Sequence, residues 1–229
     1  MGARLNREYT MDRSGWQLQA RGVACERGER RLFADFDFAL AAGDIVWLRA
    51  ANGFGKTSLM RVIAGLAQPA AGTIEWREPR PSLLYLAHAN ALKDDLTIIE
   101  SLRHLSRLHG LEASDAALTE AMRRFGLQAR RHAPIRTLSQ GQRRRVALMR
   151  LCLSPPRAVW LLDEPYDALD NDGSVLVSSL LAEHARRGGS VLLTSHVGPE
   201  IPGIAVQSIQ LDARPDAQLD ARSVEQHIA

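Results

Sequence analysis

The nine residues Ala50-Ala51-Asn52-Gly53-Phe54-Gly55-Lys56-Thr57-Ser58 constrain this chain more than any other stretch. They follow Ile45-Val46-Trp47-Leu48, a short β-rich apolar run, and open Lys56 to Leu66, whose apolar spacing suits a helix. A strand that enters a glycine-bearing loop and leaves it as a helix converges free backbone N–H groups and a positive dipole end on one point, where a phosphate fits. The glycines let the backbone approach an anion closely, Lys56 adds charge, and the Thr57 hydroxyl can ligate Mg²⁺. Ala50, Asn52, Gly53, Gly55, Lys56, Thr57 and Ser58 are therefore the expected nucleotide-binding residues. Ala50 stands where such loops usually begin with glycine, which is tolerable if its φ is negative.

Further along, strand-length apolar runs alternate with helical spacing. Thr73 to Trp76 and Leu83 to Leu86 are candidate strands separated by Pro79-Arg80-Pro81. Thr97 and Glu100 form a T-x-x-E capping box, and Ile98, Leu102, Leu105 and Leu108 continue at helical spacing to Gly110. A second helix is expected from Ser114 to Phe125. A third starts at Ser139, where Gln142 completes another capping box, and runs through Leu151 until Ser154-Pro155-Pro156 stops it. Ala158 to Leu162 and Val191 to Thr194 have the unbroken apolar character of buried parallel strands. The expected fold is α/β, a parallel core with helices on both faces and a helical insertion at about 97–152.

Both apolar strands end on polar side chains. Asp163 can hold a magnesium ion, directly or through water, together with Thr57; Glu164 beside it can polarise an attacking water. His196 closes the other strand and can reach a γ-phosphate to orient that water. The plainer alternatives are a solvated acidic turn before Pro165 and a structural histidine, since His104, His109, His132 and His184 occupy helical or charged segments without an evident task. Arg143-Arg144-Arg145 reads as a basic helix face, at least partly solvated, and not as a nucleic-acid site.

Composition limits the alternatives. The chain has 229 residues, 45% hydrophobic and 24% charged, the balance of one packed domain rather than of a disordered chain. A net charge of +3 is too small to imply a nucleic-acid partner. Cys25 and Cys152 fit no metal-ligand spacing and are expected to be reduced thiols. No apolar stretch is long enough to span a bilayer. Residues 1–16 are expected to be a flexible leader, with Met11 an alternative start, and 214–229 a polar tail.

Leu138-Ser139-Gln140-Gly141-Gln142-Arg143-Arg144-Arg145-Val146-Ala147-Leu148, between the loop and the Asp163 strand, is similar to the signature of the ATP-binding cassette (ABC) ATPases. Asp167-Ala168-Leu169-Asp170 resembles that family's D-loop, and His196 falls on its switch histidine. The resemblance spans about Leu18 to Leu211. It implies a P-loop NTPase domain over 17–213 with a mixed or parallel sheet core and an inserted helical subdomain, using ATP and Mg²⁺. It further implies a homodimer formed on ATP binding, with nucleotide between Lys56 of one chain and Ser139, Gly141 and Gln142 of the other. Free N–H groups at the start of the Ser139 helix suit an anion there. The family's adenine-stacking aromatic should fall near Cys25-Glu26-Arg27-Gly28, where none stands, so Arg27 or Phe33 is left to contact the base.

A narrower resemblance rests on Leu84-Tyr85-Leu86-Ala87-His88-Ala89-Asn90-Ala91-Leu92-Lys93, in which His88 replaces the glutamine of most transport cassettes. Together with Ala24-Cys25-Glu26-Arg27 and Trp160 to Asp170, it is similar to the ATPase subunits of the cytochrome c maturation haem exporter, the CcmA type. That implies a peripheral ATPase at the cytoplasmic face of the inner membrane, docked on integral membrane subunits near His88 to Leu96. His88 then belongs to the catalytic set in a water-bridged or phosphate-directed role, because Mg²⁺ seldom accepts imidazole. The alternatives are an exporter with another cargo, a regulatory subunit with poor hydrolysis, and a soluble ABC ATPase acting on DNA or ribosomes. The last would need two cassettes or a long coiled coil between Lys56 and Ser139, and the sequence has neither.

Overall fold

The computed structural model describes residues 7–8, 15–28, 30–108 and 110–212. Its strands are β1 Arg7–Glu8, β2 Trp16–Arg27, β3 Arg30–Ala41, β4 Ile45–Arg49, β5 Ala71–Trp76, β6 Leu83–Leu86, β7 Val159–Leu162, β8 Ser190–Thr194 and β9 Val206–Gln210. Its α-helices are α1 Lys56–Ile63, α2 Ile98–Leu108, α3 Asp115–Arg124, α4 Gln140–Leu148, α5 Arg150–Leu153 and α6 Asn171–Arg186.

Six strands form one sheet in the order β1-β9-β4-β8-β7-β6, and every neighbouring pair is parallel. Side chains of the central strands alternate between two apolar layers. Ile45, Trp160, Leu162, Val191 and Leu193 face a core shared with α2–α6, whereas Val46, Leu48, Val159, Leu161 and Leu192 face one shared with α1 and a second sheet. All of these side chains are buried, which is why the strands read as continuous apolar runs.

The second sheet is antiparallel, in the order β3-β2-β5. β1, β2, β3, α6 and β9 are elements that no pattern singled out by sequence predicts. In β3, Phe36 and Phe38 are buried with Asp37 exposed between them, an alternation proper to a sheet with one covered face that ends at Ala39 and Leu40, both buried. Register shifts beside Gly22 (φ 56°) and Asp35 (φ 51°) break the two-residue period along the rest of β2 and β3 and obscure it. Arg7 and Glu8 pair with Gln207 and Ser208, and Trp16 opens β2, so these three positions depart from the flexible leader expected over 1–16. Gly15 is an exposed turn residue, and the rest of that expectation, at 1–6 and 9–14, and the expected tail at 214–229 lie outside the described residues.

Both expected capping boxes form. Thr97 N donates to Glu100 Oε2 at 2.8 Å and Glu100 N to Thr97 Oγ1 at 3.4 Å; Gln142 N donates to Ser139 Oγ at 3.3 Å and Ser139 N to Gln142 Oε1 at 3.2 Å. The helix beginning at Ser139 is interrupted at Met149, where Cys152 N bonds Met149 O in a tighter turn. The helix after the glycine loop ends at Ile63 rather than Leu66. Gly65 there is left-handed, Gly65 N bonds Val62 O and Leu66 N bonds Arg61 O, a closure that stops the helix.

His184 of α6 is buried between Trp160 of β7 and the backbone at Gly189. Its ring stacks on Trp160 at 3.6 Å, and Nε2 lies 2.8 Å from Ala158 O, so Nε2 carries the proton of a neutral imidazole. Burial pushes its pKa down from 6.5 to about 4. The unfolded chain therefore binds the extra proton first. This contribution to stability is complete above pH 6.5 and is lost as the pH falls toward 4. Thermal unfolding across that window should show a declining Tm in the wild type and a shallower decline in His184→Gln. A Cβ on Gly189 would collide with the same ring, so Gly189→Ala should destabilise by about 1–3 kcal/mol in denaturant titration.

Candidate functional site

Parallel strands gather their C-terminal ends at one edge of a sheet. Here the adjacent strands β4, β8, β7 and β6 bring the 50–58 loop, Ser195-His196, Asp163-Glu164 and Ala87-His88 to that edge. A cleft of about 340 Å³ opens there, lined by Asn52, Gly53, Gly55, Lys56, Thr57, Ser58, His88, Asp163, Glu164 and His196, with Arg27 and Leu32 completing one wall.

Gly55 precedes α1 in the left-handed region (φ 96°), and a Cβ there would stand 2.9 Å from Phe33 Cδ1. Both backbone and space therefore require glycine. Ala50 is not among the non-glycine residues of positive φ, so the condition for an alanine at that position is met. Lys56 Nζ donates to Ala50 O at 2.9 Å, drawing the charge back over the loop.

Asp163 is buried, and each of its oxygens accepts a hydroxyl proton: Oδ2 from Thr57 Oγ1 at 2.7 Å and Oδ1 from Thr194 Oγ1 at 2.8 Å. Thr194 Oγ1 in turn accepts from Glu164 N at 2.9 Å. Since Thr57 gives its proton to the carboxylate, its lone pairs are free to face the cleft. An all-oxygen donor set of this kind fits Mg²⁺. Thr194 is absent from the residues singled out by sequence; a hydroxyl ending the apolar run Val191-Leu192-Leu193 was the available signal. Trp47 is a second such residue, its Nε1 donating to Ser195 O at 3.1 Å beside His196.

Glu164 lies inside the cleft with a side chain 12% exposed, and His196 at the rim is 67% exposed with Nε2 3.9 Å from Glu164 Oε1. His88 Nδ1 stands 4.0 Å from Asp167 Oδ2, both exposed. Ser139, Gly141 and Gln142 are not in the cleft lining. They start α4, where a Cβ on Gly141 would meet Ala168 O at 2.9 Å, so this end of the helix lies against the Asp167–Asp170 turn. Phe33 is fully buried beneath Gly55 and is corrected as a base contact, which leaves Arg27.

Arg143-Arg144-Arg145 is only in part the solvated basic face expected: Arg143 and Arg145 are partly exposed, and Arg144 is not. Arg143 pairs with Asp94 at 2.7 Å, Arg145 pairs with both oxygens of Asp170 at 2.7 Å, and Arg144 is buried. Helix spacing alone hid this, because the partners lie in other segments.

Residues 33–167 match the family described as ABC transporter. The chain belongs to the ABC transporter family. This ABC ATPase is 45% identical over 188 residues to the cytochrome c biogenesis ATP-binding export protein CcmA of Cupriavidus pinatubonensis, covering 78% of this chain and 83% of that protein. It is 47% identical over 188 residues to the protein of that name in Pseudomonas putida, covering 78% and 89%. Among solved structures, an ABC transporter ATP-binding protein from Pyrococcus furiosus superposes with a TM-score of 0.72 at 22% identity, over 85% of this chain and 96% of that one, and shares its fold. As an ABC ATPase the chain binds nucleotide and hydrolyses ATP. No helix among the described residues is long and apolar enough to cross a membrane.

Because Gly55 is required by both φ and Phe33, Gly55→Ala should lower affinity for a fluorescent ATP analogue about tenfold or more, while Ala50→Gly leaves it within about twofold.

Proposed function

We propose that this ABC ATPase powers an exporter serving cytochrome c biogenesis, with haem as the handled cargo, from the cytoplasmic face of the inner membrane. The observation that carries the reading is the division of its motifs. Lys56, Thr57, Asp163, Glu164 and His196 meet around one cleft, while Ser139, Gly141 and Gln142 stand outside it on α4. A chain that holds ATP in the cleft and offers a helix N-terminus elsewhere is complete only as a pair. Two copies arranged head to tail would each close the other's site.

In this mechanism the 50–58 loop and Lys56 hold the phosphates, and Arg27 lies over the base. Mg²⁺, held by Thr57 with Asp163 behind it, would neutralise charge on the phosphate oxygens. Glu164 accepts a proton from the attacking water, and His196 at the rim orients that water toward the γ-phosphate; His88 assists through water or phosphate. Ser139, Gly141 and Gln142 of the second copy contact the γ-phosphate, so its loss releases the pair. Residues 17–213 act as one ATPase domain with a helical subdomain at 97–152. Opening and closing are transmitted to integral membrane subunits docked near His88 to Leu96.

The CcmA names of the relatives support the export and cytochrome c roles, as does His88, which the narrower sequence resemblance shares. Haem copurifying with the complete membrane complex is the expected result, and a complex that binds a different small molecule and no haem would replace the cargo. Glu164→Gln should cut ATP turnover about a hundredfold or more while keeping ATP affinity. Lys56→Ala should weaken ATP binding at least about tenfold by equilibrium titration.

A further inference from the structure

Arg144 is the middle residue of the basic run, on α4, and is 2% exposed. Its guanidinium reaches five acceptors, none of them charged. Nη1 donates to Ala87 O at 3.3 Å, His88 O at 3.4 Å and Asn90 Oδ1 at 2.9 Å; Nη2 donates to Asp163 O at 3.0 Å and Glu164 O at 2.6 Å. Its neighbours Arg143 and Arg145 each pair with an exposed carboxylate instead. A buried arginine held by carbonyls is costly to place, because full desolvation is not returned by an ion pair. Burial pulls its pKa down against the fields of Asp167, Asp163 and Glu164.

The backbone it grips is unusual. Glu164 has φ 50°, a left-handed conformation for a residue with a Cβ. Thr194 Oγ1 holds the Glu164 N–H and Arg144 holds the Glu164 carbonyl, so both peptide groups that set this conformation are pinned. The second arm of the same guanidinium holds the exit of β6 at Ala87 to Asn90.

We propose that Arg144 is a positioning residue for hydrolysis: one planar fork locks the start of α4 to the exits of β6 and β7, so that the Glu164 carboxylate faces the cleft only when α4 is seated. The inference rests on the proposed role of Glu164. Arg144 lies little more than one turn after Ser139, so a contact that the second copy makes with Ser139 of the first is linked through α4 to the orientation of Glu164 in that same first chain. Lysine cannot replace it. One ammonium nitrogen cannot serve the three acceptors that Nη1 reaches and the two that Nη2 reaches from separate arms of a planar group.

The test compares Arg144→Lys, Asn90→Ala, Glu164→Gln and the Arg144→Lys/Glu164→Gln pair in the full chain, assembled with its membrane subunits, reading kcat, KM and affinity for a non-hydrolysable ATP analogue. Arg144→Lys is expected to lower kcat about tenfold or more with KM and analogue affinity within about twofold. Because it acts through Glu164, it should add no more than about twofold to the loss in Glu164→Gln. Asn90→Ala removes one acceptor and should lower kcat about two- to fivefold at unchanged KM. If Glu164→Gln is slow but Arg144→Lys turns over within twofold of wild type, the role of Arg144 is overturned and that of Glu164 stands. If Glu164→Gln itself turns over normally, the underlying reading fails. A loss of analogue affinity in Arg144→Lys matching its loss of kcat would mark a general structural defect and overturn the proposal. Should Arg144→Lys not fold, unchanged kinetics in Asn90→Ala overturn it.

Discussion

The carboxylate of Asp163 is buried at the end of β7, and the cleft is organised by the need to satisfy it. An unpaired carboxylate in that position would cost several kcal/mol, so hydroxyls must reach it from neighbouring segments. Thr57 arrives from the loop after β4 and Thr194 from the end of β8, which lies between β4 and β7 in the sheet. Parallel order makes this possible, since all three strands end at the same edge. The hydrogen bond from Glu164 N to Thr194 then extends the same arrangement by one residue into the cleft.

The fold supports that edge from both sides. β4, β7 and β8 send alternate side chains into separate apolar layers, so the strand exits cannot move without disturbing two cores at once. The C-terminal half of α4 is packed in one of these cores, while its first turns meet the residues after β7 through close and mostly polar contacts. Arg144, Arg145 with Asp170, and Gly141 against Ala168 are those contacts. Each ties the start of α4 to the residues following β7.

Much of this was legible in the sequence, for identifiable reasons. The glycine loop, the apolar runs before Asp163 and His196 and both capping boxes are local patterns, and each folds as its pattern demands. The antiparallel sheet was harder to see, because its long strands carry irregular register and no single period survives their length. Thr194 and Trp47 were harder to see for a different reason: a hydroxyl ending an apolar run, or a lone indole, is a weak signal, and its partner is far away in the chain. Arg144 shows the same limit in reverse. Three consecutive arginines look alike in sequence, and only the three-dimensional neighbours separate the buried one from the two in exposed ion pairs.

The central claim is that one chain's cleft is completed by α4 of a second. Counting the copies of Glu164→Gln chain held together in saturating ATP, by sedimentation of the free protein and by mass measurement of the complex with its membrane subunits, tests it most directly. The account predicts a particle containing two 25.3 kDa chains that separates when ATP is removed. A single ATP-loaded chain, alone and in the membrane complex alike, would contradict it.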